Sequence, residues 1–261
     1  MRIPTWALLG LALLLVTARA DALPLLQLDL KGGVYDPVTQ TIVAPGGAFE
    51  LFAILTPKGG ASQTEIDALL NTTYYVSIAL TPKVGPAPAD LGSFTFGQTG
   101  SVNTYSATSS LVYGTPPIES MGAVSDPNDL PGHGIYDTYF AEFAFTFSPL
   151  DRAVSYNTAD NPGGPTLSAS GGSYYASFVG NSTLLASAYN LHFDLYDEIA
   201  AKCAANKTCT DKDVQHFAPF SHDAQTRERI PEPSAAAFLL LGSAIAAGYR
   251  LRASRSSRPA A

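Results

Sequence analysis

The chain has 261 residues, 46% of them hydrophobic and only 14% charged, with a formal net charge of −7. Positive charge gathers at the ends: residues 21–230 hold 9 basic and 21 acidic side chains, a net −12. That balance excludes nucleic acid and anionic lipid as natural partners of the central stretch. The abundance of Gly, Pro, Tyr and Phe is that of an exported β-rich protein rather than a cytosolic enzyme.

Arg2 opens a charged segment and Trp6–Val16 is an apolar run too short to span a bilayer. Ala18 and Ala20 place small residues where a signal peptidase reads, so residues 1–20 are expected to be a signal peptide cleaved after Ala20. Residues 21–218 are then expected to form one β domain. Leu26, Leu28 and Leu30 alternate with Gln27 and Asp29, the period of a strand with one buried and one wet face. Strands are also expected over 48–55, 74–80, 92–96, 109–113, 139–147, 174–179 and 189–195, separated by turns rich in Gly and Pro. Ser62 and Glu65 have the spacing of a capping box and open a short helix carrying Ile66, Leu69 and Leu70 on one face. Residues 114–134 read as a proline- and acid-rich surface loop, and 197–205 as a second short helix. These elements predict an all-β fold, an antiparallel β-sandwich of jelly-roll-like kind with two short helices.

Cys203 and Cys209 are the only cysteines, and their short loop in an oxidising compartment reads as a disulfide. No metalloprotease helix, nucleophile elbow or phosphate loop is present. Ser221, His222 and Asp223 bring three triad residue types side by side, but neighbours in a chain do not point to one centre. Glu142 lacks a marked partner for a glycosidase carboxylate pair. These observations argue against an enzyme and name no cofactor.

One metal reading stays open. Asp194, Asp197 and Asp223, with Asp211 and Asp213, would collect round a Ca²⁺ ion if the chain folds back, His192 lying on the same polar strand face as Asp194. The competing reading is a solvated strand face and an acidic turn, because strand alternation alone explains the polar positions. Thirteen Tyr and thirteen Phe offer rings for stacking on sugars or simply sheet aromatics.

Residues 219–230 read as a polar spacer. Beyond them come Pro231, Glu232 and Pro233, an apolar run at 235–249, and a basic tail at 250–258 with Arg250, Arg252, Arg255 and Arg258. The arginines would hold that end in the cytoplasm, with the run as a transmembrane helix and the domain outside. In all three parts the tail resembles a PEP-CTERM sorting signal of Gram-negative bacteria. The resemblance implies processing by an exosortase, with Pro231–Pro233 recognised and the helix a transient anchor in the inner membrane.

A second resemblance rests on Leu26–Leu30 with Gly33–Asp36, Gly132–Glu142, Leu191–Tyr196 and Phe217–Ala224, which look like the choice-of-anchor N family of bacterial surface proteins. It implies an exported protein without assigned catalytic residues. The expectation is a cell-surface or matrix protein of structural or adhesive role, with extracellular polysaccharide as its expected partner. A Ca²⁺-dependent carbohydrate-binding module and a secreted hydrolase are the alternatives.

Overall fold

The computed structural model describes residues 23, 25–82, 84–86, 90–117, 137–198 and 217–227. The signal peptide, both cysteines, Asp211, Asp213 and the entire sorting tail lie outside the described residues, as does most of the expected 114–134 loop.

Among the described residues, thirteen strands build two sheets. They are β1 Leu26–Leu30, β2 Val34–Asp36, β3 Thr41–Pro45, β4 Ala48–Leu55, β5 Tyr74–Thr81, β6 Ser93–Gln98, β7 Ser101–Ser106, β8 Val112–Gly114, β9 Thr138–Phe145, β10 Arg152–Ala153, β11 Ser173–Asn181, β12 Asn190–Asp197 and β13 Ala224–Arg227. One sheet runs β1-β4-β11-β6-β7, with β10 on β11; the other runs β2-β3-β13-β12-β5-β9-β8. Every pairing is antiparallel except β13 with β3, which is parallel, a departure from the uniform antiparallel expectation.

The core lies between the sheets, where alternate side chains interdigitate. Phe49 and Phe96 from one sheet meet Phe193 from the other, at ring-centre distances of 5.4 and 5.8 Å. Phe178 meets Phe143 and Phe145 edge-on at 5.6 and 5.0 Å, the geometry that aromatic quadrupoles favour. Helix α1, Gln63–Leu70, begins with the expected reciprocal cap: the Ser62 side chain accepts from the Glu65 N–H, and Glu65 accepts from the Ser62 N–H at 2.7 Å. Its Ile66, Leu69 and Leu70 pack against the core edge. No helix among the described residues is long and apolar enough to cross a membrane.

Two expectations need correction. The wet faces of β1 and β12 are dry, because Gln27, Asp29, His192 and Asp194 are all at most 3% exposed. On β1 the reason is visible: residues 156–164 lie across the sheet and bond to Gln27 and Asp29. The segment 219–230 is also more than a spacer. Its residues 224–227 are strand β13, inserted between β12 and β3. As for the second helix, 197–205, strand β12 continues to Asp197 and residues 199–205 fall outside the described set.

Candidate functional site

Strand parity decides which polar residues meet. On β12 the side chains of Leu191, Phe193 and Leu195 enter the core, so His192, Asp194 and Tyr196 point to the outer face. Strand β13 lies alongside with His192 opposite Gln225 and Phe193 opposite Ala224. One step further in that register sets Asp194 opposite Asp223, which immediately precedes β13.

The result is a buried trio. His192 Nε2 lies 3.3 Å from Asp194 Oδ1 and 3.5 Å from Asp223 Oδ2. One ligand atom from each of the three residues lies within 4.8 Å of the other two. On its other side, His192 Nδ1 faces Gln225 Oε1 at 3.4 Å. Burial disfavours a charged imidazolium, but the two carboxylates and the Gln225 oxygen outweigh it and raise the His192 pKa to about 9. Directly opposed like charges destabilise a sheet, and here the His192 ring lies against both carboxylates.

The outer face continues across the sheet. Asp194 stands opposite Ser77 on β5, and Ser77 opposite Glu142 on β9. The hydroxyl of buried Tyr196 donates to Glu142 Oε1 at 2.7 Å. The Tyr196 pKa is driven far up by burial and by the Glu142 charge, so the phenol stays a donor.

Beside the trio sits a 3-10 turn at 220–222, whose His222 is buried. His222 Nε2 lies 2.9 Å from Asn157 Oδ1, and Nδ1 lies 2.8 Å from Ser221 Oγ. An N–H at Nε2 donating to the amide oxygen leaves Nδ1 to accept from the hydroxyl. This is a hydroxyl–imidazole–amide chain, which adjacency in sequence does not suggest. Burial, only partly opposed by Asp160, lowers the His222 pKa to about 4. A base that weak activates a hydroxyl poorly at neutral pH, since general bases work best near the operating pH.

Of the residues singled out for metal binding, Asp194 and Asp223 come together. Asp197 does not: three positions from Asp194 it has the opposite parity, and it ends β12 on the core side opposite Tyr74. Gln225 and Asn157 were passed over in the sequence. Parity on β13 would have found Gln225 had 224–227 been read as a strand. Nothing local marks Asn157, whose role depends on a contact 65 residues away.

A separate open depression of about 440 Å³ lies where the β3–β4 turn meets residues 182–190. Its rim carries Ser182, Thr183, Tyr189 and Asn190. Compared with known proteins, the chain matches no family model, no curated protein and no solved structure.

Proposed function

We propose that this chain is an exported protein of the bacterial envelope with a structural or adhesive role, its sandwich of jelly-roll-like kind and its tail removed by an exosortase. The single observation that carries the reading is the tail itself: Pro231-Glu232-Pro233, the apolar run 235–249 and the arginines at 250, 252, 255 and 258. Support for the non-catalytic part comes from the polar groups. His222 is too weak a base to activate Ser221, and Glu142 is engaged by Tyr196. Support for the jelly-roll comes from the way successive strands pass back and forth between the two sheets.

The test is expression in a Gram-negative host that carries an exosortase, with fractionation and mass spectrometry of both termini. The expected product starts at Asp21, lacks the tail and lies outside the inner membrane. Glu232→Ala should retain the tail and stay in the membrane. An unprocessed chain in the cytoplasm would overturn the proposal.

The sugar-binding alternative draws on the depression, where hydroxyl and amide groups surround one tyrosine ring. Glycan-array binding lost on Tyr189→Ala, with the melting temperature unchanged, would favour it over a purely structural role.

A further inference from the structure

The geometry points to a buried site for one first-row divalent cation, Zn²⁺ being the nearest match, held by His192 Nε2 and one oxygen each from Asp194 and Asp223. The inference is independent of where the protein is exported and of the sugar-binding alternative.

The spacing of the donor atoms is the first argument. A charge-assisted bond between an imidazolium and a carboxylate is about 2.7–2.9 Å long. Here a single ring nitrogen faces two carboxylates at 3.3 and 3.5 Å, too far for a good bond to either. Three donors each about 2.0–2.1 Å from a tetrahedral ion would stand about 3.4 Å apart. The two measured edges match that value, and one ligand atom from each residue lies within 4.8 Å of the other two. This is the spacing of ligands round an ion.

The second argument is orientation. Gln225 Oε1 faces Nδ1, which gives an N–H there an acceptor, and an ion binding at Nε2 would displace the proton that the ring otherwise carries on that side. Metal-bound histidines are commonly held in this way, their other nitrogen donating to a carbonyl or carboxylate. His192 and Asp194 lie on β12 and Asp223 immediately precedes its paired strand β13, so the backbone fixes their separation before any ion arrives.

Donor chemistry then chooses the ion. Calcium seeks six to eight oxygens, whereas one imidazole with two carboxylates suits a smaller, more nitrogen-tolerant ion. The site thus differs from the Ca²⁺ cluster expected from sequence in both membership and metal: His192 replaces Asp197.

The experiment uses the purified full chain, stripped with chelator and then desalted. Zn²⁺ is expected to bind at one per chain by native mass spectrometry and to raise Tm by about 5 °C at saturating metal. Co²⁺ in its place should give the visible absorption of a low-symmetry, four- or five-coordinate site. Asp223→Asn should lose both signals, whereas Cys203→Ser with Cys209→Ser should keep them, separating this site from thiol binding. If Asp223→Asn does not fold, the wild-type stoichiometry and Co²⁺ spectrum still decide. A wild-type chain that binds none of Zn²⁺, Co²⁺ or Mn²⁺ would overturn the inference and leave the trio as a proton-bridged ion pair. A larger Tm rise with Ca²⁺ than with Zn²⁺ would overturn the choice of metal.

Discussion

Two aspartates on two sheets face the same problem and meet it differently. Asp29 on β1 is fully buried, and its carboxylate accepts from Leu30 N, Gly163 N, Gly164 N and the Tyr156 hydroxyl at 2.7–3.0 Å. Burial still raises its pKa, while those four bonds pull the other way. Asp223 is as deeply buried, but the partner described above is a ring nitrogen at 3.5 Å that it shares with Asp194. Short bonds from fixed N–H groups stabilise a buried carboxylate without any other charge; two carboxylates facing one ring nitrogen repel each other, a repulsion that a cation between them would relieve. Burial alone does not identify a functional acid.

The strongest way to break this comparison is to delete the acceptor at the first site. Asp29→Ala strands three backbone donors and a tyrosine hydroxyl, and should cost about 4 kcal/mol in urea or thermal unfolding. That cost should be nearly the same in chelator and in Zn²⁺, because the two sites lie on different sheets; a difference would report coupling through the neighbours Tyr156, bonded to Asp29, and Asn157, bonded to His222. Next comes the loop that supplies the donors. Gly164 has φ +109°, and an added Cβ would stand 3.3 Å from the Phe52 ring. Gly164→Ala should therefore cost about 2–3 kcal/mol, through backbone strain and through loss of the aligned N–H.

A third test concerns His222, one residue from Asp223. Its folded pKa of about 4 lies below the ordinary value near 6.5, so it lowers stability as pH falls. Above pH 6.5 the group contributes no pH dependence. Between pH 6.5 and 4 the unfolded chain takes up a proton that the folded chain refuses, and about 2 kcal/mol should be lost after allowing for solvent screening. His222→Gln should flatten that part of the stability–pH curve.

The smallest effect should come from the surface version of the Asp29 arrangement, the cap of α1. There Glu65 accepts from the Ser62 N–H in full contact with water. Ser62→Ala keeps that bond but removes its reciprocal, the hydroxyl that accepts from the Glu65 N–H, and should cost about 1 kcal/mol by thermal unfolding. A cost approaching that of Asp29→Ala would show that burial adds nothing to such a bond.

What was legible in the sequence follows the same physics. Strand β4 spans 48–55 as expected, an apolar run of eight residues broken only by Glu50 and bounded by Gly- and Pro-containing turns. The cap of α1 is local and could be read directly. Strand β3 escaped because Thr41–Ala44 is buried on both faces and shows no alternation. Strand β7, polar and largely exposed at a sheet edge, carries no apolar signal at all. At the candidate site, the sequence named Asp194 and Asp223 and noticed His192. It went astray on Asp197, although the odd spacing from Asp194 already puts the two on opposite faces of any strand. Whether a polar face is wet or dry depends on what lies across it, as residues 156–164 do over Asp29. Period two carries no such information.

The parallel pairing of β13 has a consequence for how the protein is made. This strand is the last among the described residues, yet it is the link that joins β2-β3 to β12-β5-β9-β8. Until the ribosome has released residue 227, the earliest and latest strands of that sheet have nothing to bind them. Assembly therefore waits for the end of synthesis and closes over nearly the whole chain length, the kind of distant pairing that slows folding. A chain stopped at 218 would hold every residue of the other sheet and still have this one in two pieces.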